Sequence, residues 1–142
     1  MSRVKSREYA FRLVFEKFFH EPEDELMFEF DDIVIDEEDK AFVNKLTGEI
    51  NINYDNILEL IKNNTTGYEL ERIYKVDLAI LMLAICEIKY INETPANVVI
   101  NEAVELAKKY STEKSYSFVN GVLAKVIKWL KVIFLFLNLI II

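Results

Sequence analysis

SYSFVNGVLAKVIKWL, residues 115–130, decides between two fold classes. Its Asn120-Gly121 pair lies between short apolar runs, a strong signal for a β-hairpin, because both residues tolerate the positive φ angles of a type I′ turn. Over the same residues, however, apolar side chains recur at intervals of three and four. A hairpin would place Leu123 and Ile127 on the wrong face. The spacing therefore predicts a helix, with the recurring positions Phe118, Val119, Val122, Leu123, Val126, Ile127 and Leu130.

This helix would hold a glycine in its interior, at Gly121. Glycine in a helix costs ~1 kcal/mol relative to alanine, so a reason for its presence has to be found. We expect Gly121 to allow the close approach of another backbone. A neighbouring helix is favoured over RNA.

The rest of the chain agrees with an all-α fold of about six or seven helices in one domain. Of the 142 residues, 52% are hydrophobic, which is enough for a folded core. Only three Gly and two Pro occur, too few for the turns of a many-stranded sheet. The single cysteine, Cys86, cannot form an internal disulfide. Together with the lack of a recognisable leader, this predicts a cytoplasmic protein.

Local signals place the other helices. Residues 2–19 have helical spacing, with Arg3, Lys5, Arg7 and Arg12 largely outside the apolar stripe. An acidic connection containing Pro22, with one weak turn, leads to a helix capped by Asp36 and ending near Gly48. A helix over residues 53–61 and a short turn at 68–72 follow.

The run VDLAILMLAICEIKYI, residues 76–91, is apolar on nearly every side and predicts a buried central helix. After it, Thr94 and Pro95 predict the N-cap and first residue of another helix.

Charge is distributed unevenly. The net charge is −7, but residues 1–19 carry +3 and residues 20–40 carry −10. The sequence KKYSTEKSYSF, residues 108–118, forms a second basic cluster in which three lysines alternate with Tyr110, Tyr116 and Phe118. Cations beside aromatic rings suit single-stranded RNA. The strength of this prediction depends on whether the two basic clusters meet in space.

Catalytic chemistry finds no support. His20 is the only histidine, and no His or basic residue on an adjacent turn is placed to activate Cys86. The run DDIVIDEED lacks the glycine that a calcium loop needs at its sixth position. We therefore predict a protein that is not an enzyme, with no catalytic residue, no metal site and no cofactor.

Residues 95–126, PANVVINEAVELAKKYSTEKSYSFVNGVLAKV, resemble the NusB family of bacterial transcription antitermination factors. VDLAILMLAICEI at 76–88 and SRVKSREYAFRLVF at 2–15 support the resemblance, which covers roughly residues 2–130. It implies two three-helix bundles side by side. It also implies binding of boxA RNA from ribosomal RNA leaders together with NusE, a small-subunit ribosomal protein, to support RNA polymerase with the other Nus factors.

The resemblance also implies site residues. The RNA-binding set comprises Arg3, Lys5, Arg7, Lys114, Tyr116, Phe118 and Asn120. The side facing NusE would include Asp77, Met82 and Glu87. Three features depart from the family pattern. The N-terminal RVKSR has fewer arginines than the family often has, Met82 replaces a common arginine, and Lys114 stands where relatives often have an acid.

Residues 132–142, VIFLFLNLIII, have no counterpart in that family, so we divide the chain into an RNA-binding domain at 1–131 and an apolar tail. As a helix the tail would span ~16 Å, about half a hydrocarbon core, which disfavours a membrane anchor. An interface with a partner, or self-association as a homodimer, stays open. Two other functions also stay open: a protein–protein adaptor with minor RNA contact, favoured if the basic clusters face opposite directions, and an accessory module of ribosomal RNA modification.

Overall fold

The structure, a computed structural model, describes residues 3–20, 30–65 and 69–141. Within these residues every regular element is helical, as predicted from the sequence. The predicted connection residues 21–29, with Pro22, lie outside the described part. The α-helices are α1 (Arg3–Lys17), α2 (Glu37–Ile52), α3 (Tyr54–Asn63), α4 (Lys75–Cys86), α5 (Ala96–Tyr110) and α6 (Glu113–Ile141). A 3₁₀ helix (Leu70–Arg72) precedes α4, and a π-helical segment (Glu87–Ile91) continues it.

Helix α4 lies at the centre of the molecule. All its residues from Asp77 to Cys86 are buried, so the prediction of a central helix without a solvent face is confirmed. It contacts all five other α-helices. Helices α1 and α2 pack together on α4, and so do α5 and α6, while α3 contacts α2, α4 and α6. The two helix groups therefore share α4 and one continuous hydrophobic core.

Several helix ends follow the local signals. The Asp36 side chain accepts a hydrogen bond from the Asp39 backbone N–H at 2.9 Å, the expected N-cap of α2. The prediction that α2 ends near Gly48 is wrong: the helix continues to Ile52, because Ile50 extends its buried face into the core. At α5 the prediction is one residue off, since Pro95 is the N-cap and Ala96 the first helical residue.

Residues 115–130 form a helix and not a β-hairpin, as the spacing of their apolar residues predicted. They lie within α6, and Val119, Val122, Leu123 and Val126 are buried on one face. Gly121 lies on the opposite, exposed face, where an added Cβ would meet no atom within 4 Å. The expected neighbouring helix at Gly121 is therefore wrong.

Beyond Lys131, α6 continues away from the core. Every residue from Val132 to Ile141 is exposed, including Phe134 at 66% and Ile141 at 81%. Among the residues described, no helix has the length and apolar character needed to span a membrane.

Candidate RNA-binding surface

The two basic clusters meet where α1 packs beside the end of α5. Lys109 Nζ donates a hydrogen bond to Glu8 Oε1 at 2.6 Å, and the Tyr110 hydroxyl donates to the same oxygen. The Phe11 and Tyr110 ring centroids lie 5.0 Å apart. The clusters therefore do not face opposite directions, the arrangement that would have favoured the adaptor hypothesis.

Arg12 is the centre of this junction, although the sequence did not place it in the predicted RNA-binding set. Its Nε and NH2 groups donate to the Tyr110 hydroxyl at 2.9 and 2.7 Å. Its NH1 and NH2 groups donate to the two Asp32 carboxylate oxygens at 2.7 and 2.8 Å. The helical repeat could have indicated Arg12, since it follows Lys5 by seven residues and so lies on nearly the same side of α1.

The charges at this junction stabilise one another. The hydrogen bond from Arg12 lowers the pKa of Asp32 below its ordinary value. Burial alone would raise the pKa of Glu8, but hydrogen bonds from Lys109 and Tyr110 outweigh it and the pKa is lowered. The Glu8 carboxylate in turn raises the pKa of Lys109. All these groups therefore hold their charged forms at neutral pH.

Four predicted RNA-binding residues are exposed. Lys5 and Lys114 form no ion pair within the described part of the chain. Tyr116 is 38% exposed, and Lys108 Nζ lies 5.5 Å from the centre of its ring. Asn120 lies on the exposed side of α6. These groups can reach a ligand in solution.

Arg3 and Phe118 are only partly accessible. The Arg3 guanidinium lies over the Phe42 ring, 4.1 Å from its centre. Phe118 is half-buried and packs against the hydrophobic core. A base could stack on no more than the exposed part of the Phe118 ring.

Arg7 does not lie on the surface. It is 6% exposed, and its Nε and NH2 groups donate to the Glu87 carboxylate oxygens at 2.7 Å each. The sequence placed Arg7 outside the apolar stripe of α1, and that is wrong. The buried face of α1 instead includes Ser6, Ala10, Phe11 and Val14, on the same side as Arg7.

The three residues predicted to face NusE are also interior. Met82 is 0% exposed and Glu87 is 1% exposed, the latter paired with Arg7. Asp77 accepts hydrogen bonds from the Ser111 and Ser115 hydroxyls at 2.8 and 2.9 Å. Because α4 is surrounded by other helices, these side chains join elements of this chain and do not present a contact surface. Any effect on a partner would be exerted through helix placement.

The single cysteine, Cys86, is buried in the hydrophobic core. Burial raises the pKa of the Cys86 thiol to about 12, and its Sγ lies 3.6 Å from the Leu46 carbonyl oxygen. The thiol therefore stays protonated and unreactive at neutral pH. No group of three or more His, Cys, Asp or Glu side chains that could hold a metal ion occurs among the described residues.

The fold and surface define a small all-helical protein that presents cations and aromatic rings together, a combination suited to nucleic acid. The model of the NusB family matches residues 4–128. The chain belongs to the NusB family.

Curated relatives agree. The transcription antitermination protein NusB of Lachnoclostridium phytofermentans is 45% identical over 131 residues, covering 89% of this chain and 99% of that protein. The corresponding protein of Finegoldia magna is 43% identical over 132 residues, covering 90% of this chain and 95% of that protein. These names indicate the non-enzymatic class that the sequence predicted.

Solved structures agree on the architecture. T. maritima NusB superimposes with a TM-score of 0.80 at 31% identity, covering 90% of this chain and 92% of that chain. A crystal structure of the antitermination factors NusB and NusE in complex with dsRNA gives a TM-score of 0.76 at 21% identity, covering 89% of this chain and 96% of that chain. At that identity the second match supports the fold alone.

Proposed function

We propose that this protein is an RNA-binding transcription antitermination factor. It binds boxA-type single-stranded RNA with NusE and supports processive transcription by RNA polymerase alongside other Nus factors, in the cytoplasm. The observation that carries the proposal is the contact of the two basic clusters through Glu8, Lys109 and Tyr110. Relatives named transcription antitermination proteins support it.

The predicted residues fall into two roles. We assign direct RNA contact to the predicted residues whose side chains are exposed on α1 and α6: Lys5, Lys114, Tyr116 and Asn120. Arg3 and Phe118 contribute through the accessible parts of their side chains. The other four predicted residues, Arg7, Asp77, Met82 and Glu87, are buried. They fix the positions of α1, α4 and α6 and so the positions of the RNA-contacting side chains.

The direct test is the binding of labelled boxA-like RNA, with and without NusE, across a salt series. We expect tighter binding with NusE and weaker binding to a scrambled RNA. If affinity depends on neither NusE nor RNA sequence, the proposed function fails and the adaptor hypothesis is favoured.

Lys114→Ala tests the phosphate role of an exposed lysine. Loss of one phosphate contact lowers the slope of log affinity against log salt by about 0.7 on a single strand. The matched control is Lys128→Ala, an equally charged and exposed lysine fourteen residues further along α6. Equal slopes for the two variants would remove Lys114 from the RNA surface.

Tyr116→Ala tests base stacking, and it is cleaner than Phe118→Ala because Phe118 also packs on the core. If a base stacks on the Tyr116 ring, we expect binding to weaken by about 1–3 kcal/mol. Val98→Ala, which truncates another exposed side chain on a different helix, is the control. A folded Tyr116→Ala variant with unchanged affinity would exclude stacking at this position.

We also propose that the RNA-binding unit ends near Lys131. The family match stops at residue 128, and the residues from Val132 to Ile141 are exposed. A chain truncated after Lys131 should keep its RNA affinity and unfold at the same urea concentration as the full chain. Loss of RNA binding on truncation would place the apolar tail within the functional unit. Sedimentation of both chains shows whether the tail causes self-association.

A further inference from the structure

The Arg12 guanidinium is held on one side by aromatic residues and is paired on the other with an exposed carboxylate. The Tyr110 hydroxyl accepts two of its hydrogen bonds, and the Phe30 ring centre lies 5.3 Å from its central carbon. Its remaining donors are directed outward to Asp32. The Arg12 side chain is 22% exposed, whereas that of Asp32 is 65% exposed.

The position of Asp32 is one that a phosphate can occupy. Guanidinium binds carboxylate and phosphate with the same pair of parallel N–H···O bonds. Lys109 lies on the neighbouring helix end, and Lys5 lies two turns earlier on the same side of α1, about 10 Å along the axis. An RNA strand that contacts Lys5 and Lys109 would therefore bring its phosphates beside the edge that Asp32 covers.

Asp32 is also a contact that the fold can release. It lies in a turn outside every helix, so its departure breaks no helical hydrogen bond. Tyr110 would still orient Arg12, so the guanidinium N–H groups released by Asp32 would stay directed toward solvent. Because water screens exposed ion pairs strongly, a polyanion with several phosphates can compete with a single carboxylate.

We propose that Arg12 is a further phosphate-binding residue of the RNA surface, and that Asp32 occupies its guanidinium until RNA displaces it. Asp32 thereby acts as an internal competitor that lowers RNA affinity. This inference rests on the proposed function. It assigns to Arg12 and Asp32 the roles of a ligand contact and a built-in competitor.

The test compares Asp32→Asn with Asp31→Asn in RNA binding. Both changes remove one negative charge from the same turn, but only Asp32 bonds to Arg12. With labelled boxA-like RNA and NusE at low salt, we expect Asp32→Asn to bind about twofold to fivefold tighter, the size of one released exposed ion pair. Asp31→Asn should show only the small general effect of the lost charge.

Arg12→Gln completes a double-mutant cycle. It should weaken binding, lower the salt slope by about 0.7, and abolish the gain from Asp32→Asn when the two changes are combined. Arg12→Lys keeps the charge without the fork and should restore the slope but not the full affinity. Circular dichroism verifies that each variant is folded.

The outcomes separate this inference from the proposed function. If the unchanged chain binds RNA but Asp32→Asn and Asp31→Asn bind equally, the competitor role is overturned and the proposed function stands. A gain from Asp32→Asn that persists in the Arg12→Gln background also overturns it. If the unchanged chain with NusE binds no RNA at any salt concentration, both proposals fail.

Discussion

Helix α1 carries two arginine–carboxylate pairs that are alike in geometry and opposite in surroundings. Arg7 binds Glu87 through two hydrogen bonds of 2.7 Å, and Arg12 binds Asp32 through two of 2.7 and 2.8 Å. The side chains of the first pair are 7% and 1% exposed, those of the second 22% and 65%. Five residues along one helix therefore separate a buried ion pair from one open to water.

This difference decides what each pair can do. The Arg7–Glu87 pair joins α1 to the π-helical segment after α4, and both of its side chains are buried. Breaking a buried pair leaves an uncompensated charge in a medium of low dielectric constant. The Arg12–Asp32 pair exchanges its partner with water at little cost, so it is suited to exchange with a phosphate. We infer that Arg7 holds the RNA surface in position and Arg12 belongs to it.

The largest expected effect is the loss of one member of the buried pair. Arg7→Ala leaves Glu87 buried without its partner and should lower the free energy of unfolding by about 3–5 kcal/mol in urea titrations. Replacing both members, with Arg7→Met and Glu87→Leu, should recover much of that loss because no charge is then buried. If Arg7→Ala unfolds at the same urea concentration as the unchanged chain, the pair does not stabilise the fold.

A smaller effect is expected at the buried polar contact between α4 and the α5–α6 junction. Asp77→Ala removes the acceptor for the Ser111 and Ser115 hydroxyls and should cost about 1–3 kcal/mol of unfolding free energy. Glu59→Ala, at an exposed position of α3, provides the control for loss of an acid. Equal midpoints for the two variants would contradict a stabilising role for the Asp77 hydrogen bonds.

The next effect is that of acid on the junction formed by Glu8, Arg12, Lys109 and Tyr110. Folding lowers the pKa of both Glu8 and Asp32, so their stabilising contribution is complete above their ordinary pKa values of ~4. The contribution is lost as the pH falls through the lowered values, where the folded state also takes up protons. Glu8→Gln should therefore make stability less dependent on pH below ~4. If urea titrations of this variant and of the unchanged chain show the same loss of stability below pH ~4, protonation of Glu8 does not affect folding.

The smallest effect on stability is expected at the exposed pair. Asp32→Asn should shift the urea midpoint less than Arg7→Ala or Asp77→Ala, because Asp32 is largely in water in the folded protein. The same variant is expected to show the clearest gain in RNA affinity. A large loss of stability in Asp32→Asn would show that the Arg12–Asp32 pair stabilises the fold, as the Arg7–Glu87 pair is expected to do.

Much of the fold could be predicted because its signals are local. The spacing of Val119, Val122 and Val126 in α6 indicated a buried helical face, and Asp36 indicated a helix start. The RNA-binding surface was harder to predict from the sequence. Arg7 lies among Ser6, Ala10 and Phe11 on the inner side of α1, but its acceptor, Glu87, is 80 residues away in the chain. Gly121 is different, since the same helical spacing places it opposite the buried Val119 and Val122, where the structure shows open space.

The sequence by itself determined the helical class, the buried central helix and the family, since periodicity and motif spacing are properties of neighbouring residues. Only the tertiary structure decided which of the α1 arginines is buried, that Asp77 and Glu87 lie inside, and that α1 meets the end of α5. The physical reason is that the environment of a charge depends on groups from distant parts of the chain. Helical spacing gives each charged side chain a direction, and packing decides whether a carboxylate or water lies there.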